Sequence, residues 1–142
     1  MKTELLTKKE FRIEFYDVDS MNVAWHGNYV KYFEIGRCAL LDDIGFGYKE
    51  MALSGYIWPV VDLRIKYIKP LRFGQTAVIT AELKEYLNRI RIKYTIRDKE
   101  SSQRITIGES IQMAVNISSG ESCLISPEVL TEAVETRLQE LR

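Results

Sequence analysis

The sequence predicts an α+β fold: an antiparallel β-sheet wrapped around one long central α-helix, with a second helix at the C-terminus. Three observations carry that expectation. Residues 29–44 are apolar around most of a helical circumference, as a buried helix should be. Four runs after residue 60 alternate apolar and polar residues, the period of half-buried strands. The last three of those runs are joined by short polar turns, which suit antiparallel hairpins.

Taken in order, Phe11, Ile13 and Phe15 alternate with Arg12 and Glu14 and predict the first strand. A polar loop from Asp17 to Gly27 follows. The long helix is expected from Tyr29 to about Ile44, with Asn28 as N-cap and Gly45 as C-terminal stop. Gly36 disfavours a helix interior by about 1 kcal/mol against Ala, and close approach of another backbone would explain it. Gly45 to Trp58 reads as a loop. Val61, Leu63, Ile65 and Tyr67 form the next alternating run, which Pro70 ends. Further strands run over Ala77–Leu83, Ile90–Ile96 and Ile105–Ile117. Strict alternation in the last run places Glu109 among apolar side chains, and a bulge at Gly108 is the expected escape. Ser126-Pro127-Glu128 opens the C-terminal amphipathic helix, with Ser at the cap and Pro in the first turn. A sheet with one apolar face and a single long apolar helix pack most economically when the sheet curls round the helix.

The 142 residues fit one domain, spanning 1–142, and 46% hydrophobic against 28% charged is too apolar for a disordered chain. Lys plus Arg and Asp plus Glu both number 20, and no basic tract appears, so nothing demands a nucleic-acid partner. Met1 to Glu10 has no apolar core of signal-peptide length, and no run reaches the roughly 20 residues of a membrane span, which points to the cytoplasm. Cys38 and Cys123 lack metal-ligand spacing and the chain has a single histidine, so no metal site is expected and both cysteines read as buried free thiols. Arg64, Lys66, Lys69, Arg72, Arg89, Arg91 and Lys93 give the middle of the chain a basic surface, either an ordinary solvated strand face or a dock for a nucleotide phosphate.

The chemistry-bearing stretch is Asp17-Val18-Asp19-Ser20-Met21-Asn22-Val23-Ala24-Trp25-His26-Gly27-Asn28-Tyr29. It joins a strand to the most apolar helix and holds two acidic residues and the only histidine. A helix N-terminus offers free N–H groups and a positive dipole end, and a carboxylate beside it can act as base or nucleophile. Asp17 reads as a structural turn residue. Asp19 read alone also fits an Asx turn, and His26 a solvated loop histidine.

A strand ending in Asp17-Val18-Asp19, seven residues from Asp19 to His26, then Asn28-Tyr29 and the aromatic helix with Tyr32-Phe33-Glu34, resembles the 4-hydroxybenzoyl-CoA thioesterase-like branch of the hotdog-fold superfamily. A second landmark, Val61-x-x-x-x-Lys66-Tyr67-x-x-Pro70 followed by Arg72-Phe73-Gly74, also matches. Many members carry a glycine-containing loop after the second Asp, where this chain has Ser20-Met21-Asn22. Asn22 tolerates the left-handed region, so the loop can survive, whereas Met21 could reshape the acyl pocket.

The resemblance implies a hotdog fold and hydrolysis of an acyl thioester, on CoA or on an acyl carrier protein, in fatty acid metabolism. It makes Asp19 the nucleophile or general base and His26 its catalytic partner, with the His26 backbone N–H as oxyanion donor. Gly27, Tyr29, Val61 and Asp62 are implied as substrate-binding, with Glu34 as a reserve carboxylate. A charge pair of Glu34 with Lys31 or Lys66 is the plainer reading of that residue. No metal or redox cofactor is implied; CoA enters as part of the substrate. The resemblance also implies a homodimer joined edge to edge, or a homotetramer, with residues around Val60–Asp62 lent to the neighbour's site. Two other readings stay open: a hotdog dehydratase acting on a 3-hydroxyacyl thioester, and a non-catalytic acyl-thioester binding module.

Overall fold

A computed structural model describes residues 5–142; of the amino-terminal stretch read above, residues 1–4 lie outside that range. Among the described residues the order is β1 (Leu6–Arg12), α1 (Asn28–Ile44), α2 (Tyr48–Leu53), β2 (Tyr56–Ile57), β3 (Val60–Tyr67), β4 (Thr76–Glu85), β5 (Ile90–Asp98), β6 (Arg104–Gln112), β7 (Val115–Asn116) and α3 (Glu128–Glu140). Five strands form one antiparallel sheet in the order β1-β4-β5-β6-β3, while β2 and β7 pair separately.

The alternation seen in the sequence sorts the sheet's faces. Ala77, Ile79, Ala81 and Leu83 of β4 and Ile90, Ile92, Tyr94 and Ile96 of β5 are all buried on the helix side. α1 lays Tyr29, Tyr32, Phe33, Gly36, Leu40 and Ile44 against them. Phe33 stacks on Tyr94 at 4.4 Å, and Tyr32 on Phe11 of β1 at 4.6 Å. Each large apolar side chain so buried contributes about 1.5–3 kcal/mol. Burial pushes the Tyr94 hydroxyl up to about 12, so it stays neutral and shares a 2.7 Å hydrogen bond with Ser110.

Several expectations are corrected. The first strand lies earlier than Phe11–Phe15: Lys8, Lys9 and Glu10 belong to β1, a sheet edge whose charges face water, and Phe15 begins a 3-10 turn and is 75% exposed. Asn28 is the first residue of α1 rather than its cap; Gly27 holds that place. Gly45 does stop the helix, at φ 86°. The helix is sheathed on one face only, because the sheet covers only that side; Val30 and Cys38 are exposed. The cysteines are free as expected, but neither is fully buried. At Gly36 the close neighbour is a side chain, Ile79, whose Cδ1 would lie 3.0 Å from an added Cβ. The 45–58 loop contains α2 and β2. The run from Ile105 to Ile117 splits into β6 and β7. Pro127, not Ser126, precedes α3, and no side chain caps it.

β6 reverses the expected facing and needs no bulge at Gly108, which pairs in register with Ile65 and Tyr94. Through its pairing with β5, Thr106, Gly108, Ser110 and Gln112 share the helix side, and Ile107, Glu109 and Ile111 the opposite face, while Ile105, at a register shift, is buried in the core. A side chain at 108 has no room, since a Cβ there would sit 2.4 Å from Phe33 Cε2 and from the Arg64 carbonyl oxygen. Glu109 therefore stands among cations, and Arg91 grips it with bonds of 2.8 and 3.2 Å.

Candidate active site

The loop before α1 is built on Asp17. Its side chain is 4% exposed; Oδ2 accepts the Glu14 N–H at 2.9 Å and Oδ1 accepts Lys31 Nζ at 2.8 Å. Its carbonyl accepts the Trp25 N–H at 2.9 Å and the Asn28 side-chain amide at 2.7 Å. Asn28 thus uses its side chain as a donor toward the loop, which is why it does not cap. The structural reading of Asp17 is what the geometry gives.

Above that floor the loop forms a small hairpin. Val18 bridges Ala24, and the Asp19 N–H donates to the Val23 carbonyl at 3.0 Å. Asn22 turns the chain at φ 63°, the left-handed conformation that asparagine accepts. Asp19 is exposed at the crest, and its Oδ1 accepts the Met21 N–H at 2.9 Å, an Asx turn. Met21 points to solvent, 78% exposed, so within one chain it narrows no pocket. The hairpin is fixed to the rest of the fold where the Ala24 N–H donates to the Leu71 carbonyl at 2.7 Å.

The descending arm delivers His26 and Gly27 to the tip of α1. The next two amides are used: Asn28 N–H reaches the Trp25 carbonyl at 2.9 Å and Tyr29 N–H the His26 carbonyl at 3.4 Å. The N–H groups of His26 and Gly27 donate to no described residue. The Trp25 ring lies over Gly27, so a side chain there would displace the half-exposed ring. The His26 ring rests against Trp25 at 5.2 Å and makes no hydrogen bond to Asp19.

Beside this tip lies an open cleft of about 240 Å³, lined by Ala24, His26, Tyr29, Tyr67, Ile68, Lys69 and Pro70. Burial raises the Tyr29 hydroxyl above its ordinary range, a backbone bond from Leu71 works the other way, and Tyr67 adds to the rise. Tyr67 meets Tyr29 edge-on at 4.9 Å and its hydroxyl donates to the His26 carbonyl at 2.8 Å.

The structure thus brings His26 and Tyr29 together on one cleft, with Gly27 next to His26 at the helix tip but outside the lining. Asp19 belongs to the same loop but is not part of the lining. Val61 and Asp62 are elsewhere: Val61 sits six residues from Tyr67 along β3, about 20 Å at strand spacing. Glu34 pairs with Arg37, not with Lys31 or Lys66, and lines a second cavity of about 210 Å³ with Arg37, Cys38, Tyr48 and Gln112. Partial desolvation, then the charge of Glu34, push the Cys38 thiol up, which disfavours a thiolate nucleophile there. Of the basic surface, Arg89 and Arg91 are taken by Glu85 and Glu109. Tyr67 and Pro70, landmarks of the family resemblance without an assigned role in the sequence, also line the cleft, so the landmark itself is the signal for them. No helix among the described residues is long and apolar enough to cross a membrane.

A family model described as "Thioesterase-like superfamily" matches residues 13–133. YneP of Bacillus subtilis strain 168, provisionally named an acyl-CoA thioesterase, is 41% identical over 81 residues, 57% of this chain and 59% of that protein. The chain therefore spans less than two thirds of that relative. The DHNA-CoA thioesterase of Staphylococcus aureus superposes with a TM-score of 0.82 at 23% identity, covering 96% of this chain and 90% of that one. Staphylococcus aureus SAV2348, solved in complex with CoA, superposes at 0.83 with 18% identity, covering 98% and 86%. At these identities the two structures establish the shared hotdog fold.

Proposed function

The chain belongs to the thioesterase-like superfamily, a family of thioester hydrolases, and on that premise we propose that it cleaves an acyl thioester, on CoA or on an acyl carrier protein, to a free acid and a thiol. The observation that carries this reading is the pair of unengaged amides, His26 and Gly27, at the tip of α1 beside an open cleft. Donors fixed where negative charge develops are usually the largest single contribution to such a reaction; losing one costs about 10²–10³ in rate. The positive end of the helix dipole adds to them.

Asp19 supplies the negative group. As nucleophile, a carboxylate oxygen bonds to the acyl carbon, the C–S bond breaks, the thiolate leaves, and water then opens the mixed anhydride. As general base, Asp19 takes a proton from the attacking water instead. Its Oδ2 is free for either role, since only Oδ1 is used in the Asx turn. The thiolate, with a pKa of about 8.5 when free, leaves without a strong acid. The His26 ring, exposed and without a hydrogen bond among the described residues, is available to orient water or substrate. The name of YneP and the CoA bound to SAV2348 support CoA as the thiol half. No metal or redox cofactor enters these steps, and the reading places the enzyme in the cytoplasm.

A second copy completes the site. β3 is a sheet edge with Val61 and Tyr67 about half exposed. Antiparallel pairing of two β3 strands centred on Arg64 would set the partner subunit's Val61 and Asp62 opposite Tyr67 and Lys66, at the cleft. Both residues then serve substrate binding across the interface, in a dimer or a pair of dimers. Light scattering should give an even-numbered assembly, and Val61→Lys should break it to monomers.

The test of the chemistry is Asp19→Asn, followed by thiol release from a panel of acyl-CoA and acyl-carrier thioesters. Turnover should fall at least about 10²-fold. The exposed Asx turn of Asp19 favours one rival reading, a non-catalytic acyl-thioester binder. No turnover by the unmodified protein on any thioester, with acyl-CoA still bound, would support that rival.

A further inference from the structure

We infer that Tyr67 is a positioning residue for the oxyanion amides, acting through the carbonyl of His26. The inference rests on the hydrolase reading above and gives a role to the Lys66-Tyr67-x-x-Pro70 landmark. The Tyr67 hydroxyl donates to the His26 carbonyl at 2.8 Å. That carbonyl and the Gly27 N–H belong to one peptide unit, conjugated across the C–N bond. A hydrogen bond on the oxygen withdraws electron density through the amide and makes its N–H a stronger donor. Gly27 N–H is one of the two unengaged amides at the helix tip. Among the described residues the one other donor to the same oxygen, the Tyr29 N–H, is long at 3.4 Å. Tyr67 is therefore the principal polariser of the peptide that would face the oxyanion.

The hydroxyl can do this because its ring is held. Tyr29 packs edge-on against it at 4.9 Å, with the rings 86° apart. Just beyond Tyr67, the Ile68 and Lys69 N–H groups both donate to the Ile105 carbonyl, at 2.9 and 3.0 Å, which fixes the end of β3. The Leu71 carbonyl, bonded to Ala24 N–H, holds the loop to the same turn. The His26–Gly27 peptide is thus aimed from two sides: by its own helix, and by a strand end distant in sequence. Donors fixed before the reaction need no reorganisation when charge develops, which is where their advantage lies.

Tyr67→Phe removes the hydroxyl and keeps the ring. The expected result is a fall in kcat of about 10-fold with KM within about twofold, because the effect falls on a developing charge rather than on substrate affinity. A second readout does not depend on activity: in the amide NMR spectrum of the free protein, the Gly27 nitrogen resonance should move upfield as its peptide loses polarisation. Tyr67→Leu should give the same Gly27 shift and serves if the Phe variant misfolds. An unmoved Gly27 resonance in a folded variant overturns the inference, as does a rise in KM at constant kcat, which would make Tyr67 a binding contact instead. If the unmodified protein cleaves no thioester, the hydrolase reading fails while the Gly27 shift still reports on the Tyr67 contact.

Discussion

Asp17 and Asp19 sit two residues apart in one loop and meet opposite environments. Asp17 is sealed beneath the loop, with two hydrogen bonds on its carboxylate, one of them from the Lys31 ammonium. Asp19 rides on the crest, with one oxygen in a local turn and the other free. The difference separates two uses of the same side chain. A carboxylate whose oxygens are both hydrogen-bonded and buried can organise a backbone but is poorly placed to attack or to take a proton. A carboxylate left partly unengaged adds little to stability and is free to react. The intervening Val18 is what parts them, because it bridges Ala24 and so starts the hairpin that lifts Asp19 away.

The largest effect expected from breaking this contrast is on Asp17. Asp17→Ala strands the Glu14 N–H and the Lys31 ammonium and should lower folding stability by about 3 kcal/mol. A urea melt would show it as a lowered midpoint; a change under about 0.5 kcal/mol would place Asp17 outside the loop's foundations. Asp19→Asn should do the reverse. Its roughly 10²-fold loss in turnover corresponds to about 2.7 kcal/mol of barrier, while stability stays within about 0.5 kcal/mol, as for other exposed positions. If Asp19→Asn lowers stability as much as turnover, the two aspartates are not divided in role. A smaller effect sharpens the same comparison. Lys31→Met leaves Asp17 its backbone bond but removes its cation, and with Lys31 half exposed the cost should be about 1 kcal/mol.

How much of this was readable beforehand depends on what surrounds each residue. The alternation in β4 and β5 gave the buried face correctly because both strands lie inside the sheet and α1 covers that face. The same alternation in β3 foretold a strand but not a cover, since β3 is an edge and its Val60, Val61, Leu63 and Tyr67 are exposed. In β6 the isoleucines looked like core. Ile105 is core, but from Thr106 to Ser110 the strand turns its smaller residues inward, because Phe33 fills the space over Gly108. β1 was legible only in part, for an edge strand can carry charges such as Lys8 and Lys9 that break the apolar pattern. At the candidate site, the spacing from Asp19 through His26 to Tyr29 marks one loop and helix tip, and the fold sets His26 and Tyr29 on the same cleft there. The Tyr67 hydrogen bond was out of reach, since it joins residues 41 apart in sequence and only the folded sheet brings them together.

Glu109 provides the intermediate case and the smallest expected effect. It is neither sealed like Asp17 nor free like Asp19: its side chain is 29% exposed and Arg91 holds both its oxygens. The hydrogen bonds from Arg91 lower its carboxyl below the ordinary 4.5, against a smaller opposing effect of burial. A carboxyl whose pKa is lower folded than unfolded favours folding while both states are ionised. Its contribution is therefore complete above about pH 5, declines as the unfolded chain begins to bind the proton, and is gone once pH has fallen through the folded-state value. With both partners partly in water, the contribution should be about 0.5–1 kcal/mol. Comparing urea midpoints of the unmodified protein and Glu109→Gln at pH 7 and at pH 3.5 tests this. The gap between them should narrow at the lower pH, and added salt should narrow it further at pH 7. A gap that widens on acidification would mean that Arg91 does not set the charge of Glu109, and would leave the outward carboxylate in β6 without an electrostatic reason.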